Sequence, residues 1–189
     1  QLFTDPTRYQ LNVRSASGDE TKAVNVDLLE TFNYLLGLTV EHIAAPIYFG
    51  AEFEQLAVSD TEAGRWQATV KRSTPDTGKW WFRTVYGTNR NGQKVLVVWR
   101  NLPSVLAQEE KGQIKDNAVL DAVLIEKLNV RMTASQDDEI DILYVNGDHN
   151  IAIPKNRTGQ PMDEARIQLI EEAFHQRMFA NTETPTGRV

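Results

Sequence analysis

The feature of this sequence with the clearest chemical potential is a stretch at residues 63–100 that combines cationic and aromatic side chains. It contains all four tryptophans of the chain: Trp66, Trp80, Trp81 and Trp99. It also holds eight lysines and arginines against one carboxylate, Asp76, although the whole chain has a formal net charge of -6. Cations interleaved with aromatic rings bind polyanions such as DNA or RNA. This basic, aromatic stretch is therefore the first candidate for a binding site.

Strand alternation selects the side chains of this stretch that would face a polyanion. The two-residue period puts Arg65 and Lys71 on one face of a predicted strand, and Trp81 on the same face as Arg83. Cations in the predicted turns and at strand ends add to this surface. The candidate nucleic-acid-binding residues are Arg65, Lys71, Lys79, Trp81, Arg83, Arg90 and Lys94.

A second interpretation of the same stretch is purely structural. In it, the rings fill the core of a β-meander and the cations are solvated. Trp80, Phe82 and Tyr86 are predicted core residues in either case. Arg100 ends a central strand, so it is predicted to be buried beside a carboxylate rather than to face a ligand.

Groups suited to catalysis or metal binding are sparse. The histidines His42, His149 and His175 are scattered, without the i, i+4 spacing of a helical metal pair. His149 follows Asp148 and could act as a base at a strand end, but no nucleophile accompanies it and a turn position is the simpler interpretation. Glycine-rich phosphate-binding loops are missing from the sequence. We therefore predict no catalytic and no metal-binding residue.

Length and composition predict one globular domain. The 189 residues are 41% hydrophobic and 24% charged, which is ordinary for a soluble chain. The lack of cysteine, of an apolar run of ~18–20 residues and of a leader sequence suggests a cytoplasmic location away from membranes. Because the chain starts at Gln1, we expect a piece of a longer protein. The predicted parts of the single domain 1–189 are a strand and turn at 1–25, a core at 26–179 and a frayed tail at 180–189.

The elements before the basic stretch carry clear boundary signals. Asp27 is a predicted helix N-cap with Glu30 completing a capping box, and Gly37 supplies the left-handed stop. Residues 38–49 are apolar and β-branched, which favours an extended segment, and Pro46 limits it to an edge or a bend.

Three strands form the centre of the predicted sheet, at residues 65–71, 80–86 and 94–100. In the turn at 75–78, Gly78 is predicted to take a positive dihedral angle. The Asn-Gly pair within 89–92 favours a tight primed turn. Five consecutive apolar residues, Val95 to Trp99, predict a strand that is buried on both faces.

A helix at about 117–129, a buried strand at 139–145 and a helix at 162–178 that begins at Pro161 complete the chain. A crossover helix between two buried strands predicts a right-handed parallel βαβ unit. We therefore predict an α/β (mixed α+β) fold with one mixed β-sheet flanked by helices and the core order α-β-β-β-α-β-α.

This element order is also that of restriction-endonuclease-like domains. A nuclease of that fold needs a carboxylate and a lysine two residues apart on its third strand, to bind a metal and polarise water. Val98-Trp99-Arg100 occupies the equivalent place here and offers no carboxylate. If the topological similarity holds, the nuclease site is inactive.

Five blocks of the sequence occur in a characteristic order between about residues 5 and 179. They are Asp5-Pro6 with Tyr9-Gln10-Leu11, VNVDLLETFNYLLGL (24–38), VLVVWRN (95–101), ILYVNGD (142–148) and the closing Phe174, Met178 and Phe179. In this order they resemble the C-terminal region of bacterial adenine-specific DNA methyltransferases, namely Mod (modification) subunits of type III restriction–modification systems and their relatives.

The resemblance implies a parent enzyme that transfers a methyl group from S-adenosylmethionine to N6 of adenine in a defined DNA site. The D/N-P-P-Y/F motif and the glycine-containing cofactor loop of such enzymes are missing here, and Asp5-Pro6 continues with Thr7-Arg8. The chain is therefore expected to be a non-catalytic C-terminal part, with no cofactor of its own.

Two functions for such a part stay open. The first is contact with double-stranded DNA and/or assembly of the methyltransferase, with the basic stretch against phosphates. The alternative is a protein–protein module that joins methyltransferase protomers or the partner restriction subunit. In that case the aromatic cluster and residues 38–53 would form the interface, because Trp, Tyr and Arg are favoured anchors.

Overall fold

The computed structural model describes residues 2–14, 21–56, 65–127, 140–151 and 166–180. Within these ranges the chain forms a two-stranded hairpin and a mixed seven-stranded sheet with helices on both faces. The predicted α/β class with one mixed, helix-flanked sheet is therefore confirmed. Residues 181–189 of the predicted tail, and Pro161 with the residues after it up to 165, lie outside the described ranges.

The elements of the first half are a 3-10 turn at Pro6–Arg8, β1 (Gln10–Arg14), β2 (Thr21–Asn25), α1 (Leu28–Leu36), β3 (Thr39–Ile43), β4 (Ile47–Gln55) and β5 (Trp66–Ser73). Those of the second half are β6 (Trp80–Thr88), β7 (Lys94–Arg100), α2 (Pro103–Leu106), α3 (Gly112–Ala122), a π-helical turn at Val123–Lys127, β8 (Ile142–Val145), β9 (Ile167–Leu169) and α4 (Ile170–Ala180).

The large sheet has the strand order β5-β4-β6-β7-β8-β9, and β3 lies beside β4 along the same edge of β6. The pairs from β5 to β7 are antiparallel, whereas β7–β8 and β8–β9 are parallel. The expected parallel connection from β7 through α3 to β8 is thus confirmed.

Two cores lie on opposite faces of this sheet. The core under α3 contains Phe49, Phe82 and Val98, and the core under α1 and α4 contains Phe32 and Trp99 among others. Strand β7 alternates between the two cores and is buried along most of its length. This confirms the two-sided burial that its apolar run predicts, and it makes β7 the centre of the fold.

Helix α1 has the predicted ends. Asp27 Oδ1 accepts a hydrogen bond from the Glu30 amide at 3.1 Å, which caps the first turn. Gly37 has φ of 61°, and its N–H donates to the carbonyls of the last helical turn. The local rules for caps therefore place this helix correctly.

Both turn predictions are wrong in their backbone detail. Gly78 has no positive φ; a Cβ there would lie 2.8 Å from Tyr48 Cβ, so the glycine is needed for close approach. In the turn at 89–92 the Gly92 N–H donates to Asn89 O, and among these residues Gly92 alone has a positive φ, of 74°. That geometry is a type I turn with a glycine bulge, not a primed turn.

Several element boundaries differ from the sequence-based prediction. Helix α3 begins at Gly112 instead of near residue 117, and α4 begins at Ile170 because residues 167–169 pair with β8 as strand β9. The hairpin partner β2 was not predicted. Such pairings depend on distant segments, and a local periodicity does not contain them.

Gly87 allows β3 to approach β6 closely, and a substitution at this position tests the packing of the two strands. A Cβ at Gly87 would meet the carbonyl oxygen of Thr39 at less than the 3.0 Å that real Cβ atoms respect. We expect Gly87→Ala to lower the free energy of unfolding by about 2 kcal/mol, because backbone must move. Gly50→Ala in the same sheet meets nothing within 4 Å, so it should be neutral or slightly stabilising in the same urea titrations. Equal effects of the two variants would contradict the β3–β6 register.

Candidate functional site

The structure divides the predicted nucleic-acid-binding residues between the two faces of the sheet. Ala68 and Val70 point into the core under α3, so the alternate residue Lys71 faces the α1 side. Trp81 packs against the core on the α1 side, and Arg83 shares its face. Lys71, Trp81 and Arg83 therefore share one face.

Arg90 joins this face from the turn after β6. Its guanidinium lies directly over the Cα of Gly37, at the carboxyl end of α1. A cation is favoured there because the last helical carbonyls carry partial negative charge. Arg90 makes no ion pair or hydrogen bond within the described part of the chain. Its charge is thus available to a ligand.

Arg65 and Lys79 lie on the other face and are paired. Arg65 is 3.9 Å from Asp121 of α3, and Lys79 is hydrogen-bonded to Glu109 at 2.5 Å. Hydrogen bonds from Lys79 and Lys115 lower the pKa of Glu109. The structure thus does not bring these two cations together with Lys71 and Arg83.

Lys94 occupies a third place, at the start of β7. Its N–H donates to Asp141 Oδ2 at 2.8 Å, and its carbonyl accepts the N–H of Asp141 at 2.9 Å. Asp141 also lies 3.7 Å from Arg166. This end of the sheet is therefore locally balanced in charge, and Lys94 is separate from the other candidates.

A cleft between α1 and β3, called here the α1–β3 cleft, brings together two of the cations of the α1 face. It has a volume of ≈ 560 Å³, and Arg83 and Arg90 both line it. Arg83 Nε donates to the carbonyl of Ala44 at 3.1 Å, which fixes the side chain and leaves its terminal N–H groups to a ligand. Asp27 and Glu30 lie at the opposite rim, on the first turn of α1.

The most exposed aromatic side chain of the cleft was missed by the sequence analysis. Tyr34 is 82% exposed on α1, whereas Trp81, the residue predicted to stack, is half-buried. Tyr34 lies off the apolar stripe of its helix, and that position was the signal that could have identified it. The described residues thus give the cleft an accessible ring, that of Tyr34, in addition to the guanidinium groups of Arg83 and Arg90.

A buried, hydrogen-bonded polar cluster lies elsewhere, around Arg100 at the carboxyl end of β7. Arg100 is 1% exposed, and its guanidinium donates to the carbonyls of Asn146, Asp116 and Asp148 and to the side-chain oxygen of Asn117. Burial lowers its pKa to about 10, opposed by surrounding carboxylates, so it stays protonated at neutral pH. Its predicted burial is confirmed, but the hydrogen-bond acceptors are carbonyl and amide oxygens instead of the expected carboxylate.

The buried carboxylate closest to Arg100 in the sequence, that of Asp116, accepts hydrogen bonds from groups other than Arg100. Its Oδ1 accepts from Trp80 Nε1 at 2.8 Å and from the Ser104 amide, and its Oδ2 accepts from the Val105 amide. Asp116 thus caps α2 and ties it to β6. No sequence signal indicated this role, because the capping residue comes from a different helix.

His149, the histidine considered as a possible base, takes part in a hydrogen bond with a residue close to it in the sequence. Nδ1 of His149 accepts a hydrogen bond from the Ile151 amide at 3.2 Å, and burial lowers its pKa. Across the described ranges, no three His, Asp or Glu side chains lie close enough together to hold a metal ion. None of the helices in those ranges has the length and apolar character needed to cross a membrane.

The N-terminal segment is anchored to the same sheet end by a buried glutamate. Glu171 Oε1 accepts the amides of Phe3 and Gly147 at 2.9 Å and 2.7 Å, and Asn146 Nδ2 donates to the Phe3 carbonyl. Burial is the main cause of the raised pKa of Glu171. The segment around Phe3 is therefore part of the folded core.

Comparison with known proteins gives no relative: no protein-family model, curated protein sequence or solved structure matches the chain. The resemblance to adenine-specific DNA methyltransferases therefore depends on the sequence blocks alone. Function has to be inferred from those blocks and from the chemistry of the α1–β3 cleft.

The Arg100 cluster predicts a large loss of stability on a conservative change. Arg100→Lys removes the planar fork that reaches four acceptors, and the lost hydrogen bonds leave buried carbonyls unsatisfied. We expect the free energy of unfolding to fall by about 3 kcal/mol in urea titrations. Arg72→Lys, at an exposed position of β5, is the matched control and should change it by less than about 0.5 kcal/mol. A tolerated Arg100→Lys would show that the network is not structural.

Glu171 predicts a pH dependence of stability. Since its pKa is raised, the folded chain holds this proton to a higher pH than the unfolded chain. The associated stability is present at low pH and is lost as pH rises through the folded pKa. Glu171→Gln removes this titration, so its free energy of unfolding should decline less from acidic to neutral pH than that of the wild type. Glu172→Gln, at the exposed neighbouring position, should keep the wild-type slope.

Proposed function

We propose that this chain is a non-catalytic, DNA-contacting module of an adenine-specific DNA methyltransferase, and that Lys71, Arg83 and Arg90 contact phosphates of double-stranded DNA. The ordered sequence blocks support the parent enzyme. The observation that carries the DNA contact is the convergence of Arg83 and Arg90 in the α1–β3 cleft, to which Lys71 adds a cation on the same face of the sheet. A methyltransferase of this kind acts in the cytoplasm, and its S-adenosylmethionine belongs to a catalytic domain outside this chain.

The distribution of charge on the α1 face favours a limited contact. Glu52 and Glu54 share this face at the outer end of the β4–β5 hairpin, opposite Thr69 and Gln67. Lys71 lies opposite Gly50, where a missing side chain leaves open space. The positive part is therefore bounded by carboxylates. A few phosphates can be neutralised there, which suits an acidic chain that adds local contacts to a larger enzyme.

Among the described residues, Arg65 and Lys79 are ion-paired whereas Arg83 and Arg90 are not, so two double variants that remove the same charge test the proposal. In fluorescence anisotropy titrations, Arg83→Ala/Arg90→Ala should weaken duplex binding at least about tenfold and reduce the salt slope by about two phosphate contacts. Arg65→Ala/Lys79→Ala removes the same charge from the opposite face, where both side chains are ion-paired, and should leave binding unchanged. Equal losses from the two double variants, or no binding by the wild type at low salt, would refute the proposal.

A second candidate, the assembly module, is favoured by the exposed apolar residues of β3. A register shift between Val40 and His42 turns Val40 and Ile43 to the same face, beside the α1–β3 cleft, and both are exposed. Within the described residues β3 pairs with β6 alone, so its other edge is open. Light scattering during the DNA titrations separates the two functions, because a dimer that ignores DNA supports assembly instead of DNA contact.

A further inference from the structure

A second cavity lies on the same side of the sheet, between the N-terminal segment and α4. Its volume is ≈ 570 Å³. Its walls combine the rings of Phe3, Tyr9, Phe174 and Phe179 and the carboxylates of Glu171 and Glu172 with the imidazole of His175, which packs on Phe179 at 4.5 Å between ring centroids. Among the residues that the structure describes, no lysine or arginine lines it. It thus differs from the α1–β3 cleft, which is lined by two arginines as well as by Asp27 and Glu30.

The inner rings of this cavity are fixed by packing. Phe3 meets Tyr9 edge to face at 5.1 Å and Phe174 edge to face at 5.6 Å. Phe3 and Phe174 are buried, while Phe179 on the last turn of α4 is 57% exposed and forms the outer wall. A ligand entering from solvent would therefore meet the packed rings of Phe3 and Phe174 on one side and the exposed ring of Phe179, which packs on His175, on the other.

The carboxylates give the cavity a negative charge. Glu171 uses Oε1 for the amides of Phe3 and Gly147, and its Oε2 has no hydrogen-bond partner within the described part of the chain. Glu172 is exposed at the rim. The buried Arg100 lies behind Glu171 and offsets part of its charge without lining the cavity. Aromatic faces with nearby carboxylates attract organic cations through the ring quadrupole and through charge.

We propose that this cavity binds an organic cation of the alkylammonium class, with the cationic head among the rings and beside Glu171 and Glu172. The site is independent of the proposed DNA contact, because the two share no residue. A free small cation and a methylated lysine side chain of a partner protein present the same chemistry. Their relative affinity identifies the source.

The experiment compares choline with its neutral isostere 3,3-dimethyl-1-butanol, using amide chemical shifts of the whole chain. Choline should cause saturable shifts in α4, and the neutral isostere should bind at least about tenfold more weakly. Phe179→Leu keeps apolar volume but removes the ring face, so choline affinity should fall about tenfold while the thermal midpoint is unchanged. Glu172→Gln should weaken choline and leave the neutral isostere unaffected.

The source of the cation is resolved by a trimethyllysine peptide. Tighter binding of the peptide than of choline identifies a partner side chain, and tighter binding of choline identifies a free cation. Equal affinities of choline and 3,3-dimethyl-1-butanol would overturn the proposal, because the cavity would then be a plain apolar surface. The absence of saturable shifts with both choline and the peptide would also overturn it.

Discussion

The buried guanidinium of Arg100 is the interaction on which the rest of the structure depends. It ends the central strand β7, and its hydrogen bonds reach the loop after β8 and the helix α3. Asn146 then connects the same point to the N-terminal segment, through the carbonyls of Arg100 and Phe3. A charge without water must be satisfied by protein groups, so four separate segments are held in one arrangement.

This constraint also decides where a ligand can approach. In many α/β proteins the crevice at the carboxyl ends of the strands holds the ligand. Here that position is filled by Arg100, Asn146 and Asn117, whose hydrogen bonds are directed at one another. Accessible chemistry lies instead on the α1 face and beside α4. The proposed DNA contact follows from this displacement of accessible groups away from the strand ends, whereas the proposed cation site borders the closed strand ends through Phe3 and Glu171.

The sequence predicted those features whose signals lie within a few neighbouring residues. The apolar run Val95 to Trp99 specified a two-sided strand, and the Asp27 and Gly37 caps specified α1, because each signal lies within a few residues. The burial of Arg100 followed from its place at the end of that strand. The division of the candidate cations between two faces was not predictable, since it depends on the strand order and on partners such as Asp121 and Glu109. Pairing of β9 with β8 is nonlocal in the same way.

The central claim is that the strand ends are closed and that DNA approaches the α1 face. Hydrogen–deuterium exchange with and without duplex DNA tests it most directly. DNA should slow exchange at the end of α1, in β3 and in the turn at 89–92. It should leave unchanged the already protected amides at Arg100 and in residues 145–147. Protection by DNA at these strand ends or over α3, with none on the α1 face, would contradict the account.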